Sequence, residues 1–250
     1  MRSVDRTIRI LLTVVVVLAL SWVLGGCDNP AGSSSSDDNG DEIENGHGEK
    51  EDDGVYAIGD QGPAGGWIFY IDEADEFVWT YLEVMATEFR SQWGGTGALV
   101  GEDAQGTAVG TGAANTNAIV SFFDRLEHID TGESYYDFDW DSVGLVEVVF
   151  TDGSEYYSIV GGVTDGTVAA KACAELVVEH NGGIYDDWFL PSLDELNAIR
   201  TNVRQHFTSH ARWSSSEFNC DSAFFQFFGG PQWGTFPKHS ESRIPAARAF

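Results

Sequence analysis

Residues 186–199 read DDWFLPSLDELNAI, and the chain returns through RWSSSE at 212–217, AFFQFF at 223–228 and RAF at 248–250. Ser192, with Glu195 three positions on, has the form of a capping box: the hydroxyl takes an orphan helical N–H and the carboxylate reaches back to the cap. A helix is therefore expected from Leu193 to about Gln205. Beyond it, from Trp213 to Phe250, the pattern turns to strands. In Ala223 to Phe228 the two-residue period puts Ala223, Phe225 and Phe227 on one face and Phe224, Gln226 and Phe228 on the other.

Upstream, Trp67 to Ile71 and Tyr81 to Met85 read as strands, the first after the turn signals Gly62-Pro63 and Gly65-Gly66. Val146 to Phe150 and Tyr156 to Val160 flank Thr151-Asp152-Gly153-Ser154, and an Asp-Gly pair between β-rich runs predicts a hairpin. Further helices are expected over Thr116 to Leu126 and Val168 to His180. Aromatic content of 13% and 29 glycines in 250 residues point away from a helical bundle. No internal repeat interrupts this order. The reading is a single α+β domain over about 55–250.

The N-terminal region has a different character. Arg2, Arg6 and Arg9 precede an apolar run from Ile10 to Leu24 that ends in Gly25-Gly26-Cys27, the pattern of a secretory signal peptide over 1–26. Leu24 to Cys27 resembles a bacterial lipobox, which implies that Cys27 becomes a lipidated N-terminus, and two or three acyl chains hold a protein on a membrane. Residues 27–54, rich in Gly, Ser, Asp and Glu, hold too little apolar surface to offset ordering entropy and read as a disordered acidic linker. The whole chain has a net charge of −27, and residues 55–250 carry 9 basic against 29 acidic residues, a net −20. Nucleic acid is excluded as a partner on that ground.

Motifs for chemistry are weak. Gly110-Thr111-Gly112-Ala113-Ala114-Asn115 falls short of a dinucleotide fingerprint at its third glycine and reads as a turn entering a helix capped near Asn115 or Thr116. Asp137, Asp139 and Asp141 have calcium-loop spacing, but Ser142 and Val148 stand where the loop's glycine and bidentate Glu belong, and an edge strand with Phe138 and Trp140 alternating accounts for them equally. His206 and His210 are spaced to share a helical face but lack a third ligand. Ser214, Ser215 and Ser216 form no nucleophile elbow. Neither a catalytic nor a metal-binding set emerges, and no cofactor is implied. Cys173 and Cys220 are open either to pairing or to standing as separate thiols.

The C-terminal segments quoted above, with AIGDQGPAGGWIFY at 57–70, YLEVMAT at 81–87, Trp93-Gly94-Gly95, GTGAANTNAIV at 110–120 and AAKACAEL at 169–176, resemble in order the Lcl C-terminal domain family. The resemblance implies a C-type-lectin-like domain of the formylglycine-generating, sulfatase-modifying type. Residues about 128–163 depart from it as an inserted hairpin region, and Pro245 stands where an Arg is common. The family motif shares Ala223, Gln226 and Phe228 but leaves positions 225 and 227 open, which implies that Phe225 and Phe227 face water and form a recognition surface with Phe218 and Phe236.

The order WSSSE, Gln226, Gly230, Gln232, RAF is similar to the retroelement-diversified variable lipoproteins of spirochaetes, the Treponema variable protein group. Adenine-directed mutation of AAY codons there permits any residue except Gln, Glu, Lys, Met or Trp. Phe218, Cys220, Asp221, Ser222, Phe225, Phe227, Gly229, Gly234, Phe236, His239, Ser240 and Ser242 satisfy that rule, and with Trp233 they make up the candidate ligand-binding set. The resemblance implies a lipid-anchored, non-enzymatic binder of a protein or glycan, facing outward from a bacterial outer membrane. The alternatives are an adhesin of fixed carbohydrate or matrix specificity, and an enzyme of the formylglycine-generating type using Cys220.

Overall fold

The computed structural model describes residues 54–85, 89–137, 145–160 and 168–250. The signal-peptide, Cys27 and linker readings lie outside these residues up to 53, as do Phe138, Asp139, Trp140 and Asp141 of the calcium-spaced segment. What is described is a mixed α+β domain with few helices and several small sheets. No helix among the described residues is long and apolar enough to cross a membrane.

The bulky run Trp67–Ile71 (β1) pairs with Tyr81–Val84 (β2), which also pairs with Ala247–Ala249 (β13). The C-terminal strand is thus stitched to the start of the domain, with Phe250 N–H donating to the Tyr81 carbonyl. Phe89–Gln92 (β3) is an edge strand of the largest sheet, whose order is β11-β10-β9-β12-β3. Its other strands are Ala211–Glu217 (β9), Ser222–Phe227 (β10), Trp233–Pro237 (β11) and Glu241–Ile244 (β12), and only the β9/β12 pairing is parallel. The expected hairpin forms as Leu145–Phe150 (β5) and Tyr156–Val160 (β6), with Leu126–His128 (β4) added alongside.

The helices are shorter than the sequence suggests. Gly112–Phe123 (α1) starts four residues before the expected Thr116, and Leu126 has already entered a strand. Ala169–Ala174 (α2) replaces the long helix expected to His180, because Val178–His180 (β7) folds back on Gly183–Tyr185 (β8) through Asn181 and Gly182 at φ 48 and 80, the left-handed pair of a type I′ turn. Leu193–Asn202 (α3) carries the capping box, with Glu195 N–H donating to Ser192 Oγ and Ser192 N–H to Glu195 Oε2, and a single 3-10 turn at Arg204–His206 follows.

Two apolar clusters flank the large sheet. One gathers Trp93, Ile119, Phe123, Leu126, Ile159, Trp213, Ala223 and Ile244. The other gathers Phe69, Leu82, Leu196, Ile199 and Phe228 under α3. Each fully buried Phe or Leu contributes about 1.5–3 kcal/mol by leaving water.

Candidate functional site

The β10–β11 hairpin lies at one edge of the large sheet, and among the described residues no further strand pairs with β11. Ala223 pairs with Phe236 and Phe225 with Gly234, and paired residues share a face. On that face Phe225 stacks on Phe236 with ring centroids 3.9 Å apart and planes 4° from parallel, and Phe236 meets the edge of Trp213 at 6.0 Å. Phe225 is therefore half-buried, packed on the core cluster around Trp213 rather than standing free in water, which corrects the fully outward orientation expected for it. Phe227 and Phe236 are each 37% exposed.

The opposite face also departs from expectation. Gln226 and Phe228 are buried, but Phe224 is only half-buried and lies between Phe218 (5.3 Å) and Trp233 (5.8 Å). Both faces of the hairpin therefore carry partly exposed aromatic rings. With Phe218 at 53% and Trp233 at 61% exposure, four large apolar side chains of this hairpin and its flanking turn meet solvent.

A buried ion pair fixes the base of the hairpin. Lys238 Nζ donates to Glu217 Oε1 and to the Ala98 carbonyl, both at 2.5 Å, and lies 4.8 Å from the Trp93 ring centre. The same Glu217 carboxylate accepts from Val100 N and Gly101 N at 2.9 Å each. Burial lowers the Lys238 ammonium below the ordinary lysine value, against the opposing pull of Glu217. Backbone bonds from Gly97 N to the Cys220 carbonyl and from Lys238 N to the Asp221 carbonyl complete the junction. Thr96 Oγ1 lies 2.7 Å from His239 Nδ1 and accepts from His239 N. Turn 218–222 is shaped by Asn219 Oδ1, which accepts from Asp221 N and Ser222 N.

Of the candidate set, Phe218, Cys220, Asp221, Phe227, Gly229, Trp233 and Phe236 are exposed, and Ser222, Phe225, Gly234, His239 and Ser240 are half-buried. Ser242 leaves the surface: β12 lies between β9 and β3, and Ser242 is buried with Oγ donating to the Ala211 carbonyl. Cys220 is exposed and Cys173 buried, both as free thiols, and burial pushes the Cys173 thiol up.

The remaining motifs serve the fold. Glu195 Oε1 accepts from Gly110 N (2.8 Å) and Gly112 N (3.4 Å), so a carboxylate of the protein occupies the anion seat at the start of α1. Burial raises the Glu195 carboxyl, opposed by these donors and Ser192 N. Thr111 caps that helix by position, while Asn115 bonds the Gly106 carbonyl and Ser215 Oγ. Ser214 Oγ donates to the Phe224 carbonyl and Ser216 Oγ to the Gly106 carbonyl. His206 stacks on Trp67 at 3.6 Å. Among the described residues no group of three or more His, Cys, Asp and Glu side chains is arranged to hold a metal.

Sequence reasoning missed a cavity of about 280 Å³ between α3 and the hairpin, lined by Leu193, Asp194, Asn197, Gln226, Pro231 and Trp233. A polar Gln226 at an interior strand position was the one signal for it. It also missed Glu217, Thr96 and the buried role of Lys238. No family model and no curated protein matches the chain.

Proposed function

We propose that this protein is a lipoprotein tethered through Cys27 to the outer face of a bacterial membrane, and that its C-type-lectin-like domain binds a partner through the β10–β11 hairpin and the turns at 218–222 and 238–240. Binding is non-covalent, and hairpin positions 225, 227, 229, 234 and 236 are among those a diversity-generating retroelement rewrites, while the exposed Gln232 and Trp233 stay fixed. One observation carries this reading. The positions assigned as changeable face solvent at least in part, Ser242 excepted, while the interleaved Ala223, Gln226, Phe228 and Lys238 are buried. A surface built in this way can change its contacts without changing its interior. Catalysis through the Ser214–Ser216 run is disfavoured because those hydroxyls are engaged in holding β9 to its neighbours.

Sequencing the locus across many cells tests the proposal. Substitutions concentrated at the codons for 218, 220–222, 225, 227, 229, 234, 236, 239 and 240, beside a near-identical repeat differing at adenines, are expected. Uniform codons with no such repeat overturn the diversification reading.

A further inference from the structure

We infer that the cavity between α3 and the hairpin is a seat for an arginine side chain presented by a basic segment of a partner protein. The inference rests on the reading of the hairpin as a recognition surface and adds the chemistry of what it recognises. Gln226 is fully buried at the cavity wall. Its Nε2 donates to the Gln232 carbonyl at 3.0 Å and to the Phe227 carbonyl at 3.4 Å, which fixes the amide orientation, since a flipped amide would set oxygen against two carbonyl oxygens. Its Oε1 is a buried acceptor with no partner among the described residues. A buried polar atom of this kind calls for a donor.

The rest of the lining asks for the same. Asp194 contributes an exposed carboxylate, an acceptor only. The first-turn N–H groups of α3 are already used: Leu193 N donates to Ser216 Oγ, Asp194 N to the Thr107 carbonyl and Glu195 N to Ser192 Oγ. An anion therefore finds no helix-terminal donors here. Trp233 supplies an indole, the aromatic ring that attracts a cation best, with Phe224 and Phe218 continuing the row. Arg200, six residues beyond Asp194 on α3, is tied to Asn197 Oδ1 at 3.1 Å rather than to Asp194. The domain's net charge of −20 draws a basic segment toward the site. A guanidinium meets these demands together, offering several in-plane N–H donors to Gln226 Oε1 and Asp194 and a flat face to the indole.

The test is a titration of the detergent-solubilised full chain, ¹⁵N-labelled, with acetyl-Gly-Arg-Gly-amide and with its citrulline counterpart, which keeps the shape but lacks the charge. The Trp233 indole N–H signal is assigned through Trp233→Phe. Saturable shifts of that signal and of the Gln226 side-chain amide are expected with the arginine peptide at a Kd of about 1 mM, and binding about tenfold weaker with citrulline or in Asp194→Asn. Asp194 is exposed, so this variant tests the site without removing a core contact. Equal binding of the two peptides, no saturable shift up to about 20 mM, or shifts at Trp233 produced by methyl glucoside and not by the arginine peptide overturn the inference. Codon sequencing of the hairpin reads the broader proposal separately, so failure here leaves that result standing.

Discussion

Replacing Lys238 by Met keeps most of the side-chain volume while removing the only cation that reaches Glu217 among the described residues. The carboxylate then remains fully buried with Val100 N and Gly101 N alone to stabilise it. Removing one member of a buried pair costs about 3–5 kcal/mol, and the two surviving N–H donors hold this case near about 3. For a domain of this size that lowers Tm by about 6–12 °C. Glu217→Gln leaves the ammonium with the Ala98 carbonyl and a neutral amide, and the double variant recovers about 2 kcal/mol of the summed single losses because no uncompensated charge remains. Equilibrium urea unfolding followed by tryptophan fluorescence measures all four corners of the cycle. The pH dependence has a definite sign. Because folded Lys238 holds its proton less tightly than the unfolded chain, stability attributable to it rises with pH from its lowered folded value toward about 10.4 and is flat below that window. Lys238→Met abolishes this slope. A loss under about 1 kcal/mol for Lys238→Met, or strict additivity in the double variant, refutes the reasoning.

Phe228→Ala removes a ring that carries the Arg212 guanidinium at 4.0 Å and touches Phe207, and an unfolding titration is expected to show a loss of about 3–5 kcal/mol, whereas Phe227→Ser stays within about 1 kcal/mol. Phe225→Ser falls between them, because it forfeits the stack on Phe236 without opening the deep core; equal losses at all three positions contradict this ordering. Gly97→Ala is expected to destabilise by about 2–4 kcal/mol in the same assay, since φ there is +107 and an added Cβ would lie 2.3 Å from the Ser158 carbonyl oxygen, while Gly101→Ala at φ +104 meets open space and costs only its backbone strain of about 1–2 kcal/mol. Of the two cysteines in the described residues, Cys220 is expected to react with a maleimide in the folded chain and Cys173 only after unfolding, as mass spectrometry of timed digests will read out.

The legible parts of the fold were those whose signals are local. Ser192 and Glu195 specify the start of α3 within four residues, and Asp152-Gly153 specifies the β5–β6 hairpin. The helix expected over Val168 to His180 ends at Ala174 instead. Asn181-Gly182 after the β-branched Val177-Val178 is instead a hairpin signal, and the cross-strand pairing won. The early start of α1 was hidden because the group that satisfies Gly110 and Gly112 is Glu195, more than 80 residues away. The facing of the hairpin was half legible for a similar reason. A strict period of two orders its side chains, but between Ala223 and Phe225 the partner strand advances from Glu217 to Trp213, an irregularity no local pattern announces. That shift, together with the sheet edge at β11, leaves Phe224 beside Phe218 and Trp233 instead of sealed inside.

The way the hairpin is held sets limits on how its surface can vary. Its anchors bind mainly to backbone: Gln226 to two carbonyls, Lys238 to the Ala98 carbonyl as well as Glu217, and the β10–β11 ladder from Ser222↔Pro237 to Gln226↔Trp233. Backbone partners are indifferent to neighbouring side chains, so residues 218, 220 and 221 are free to differ widely, whereas a Cβ at Gly229 would lie 2.6 Å from the Phe227 ring and ties those two positions together. Positions 225, 234 and 236 are not independent. A Cβ at Gly234 would lie 3.1 Å from the Phe225 ring, and that ring is stacked on Phe236, which rests on Trp213. A larger residue at 234 therefore requires a smaller or displaced one at 225, and loss of either stacked ring uncovers the indole edge beneath. Residues 225, 234 and 236 are for this reason a coupled trio on a Trp213 floor, so the diversification proposed above requires joint replacement there, whereas the Trp233 side of the hairpin is backed by Gln226 and α3.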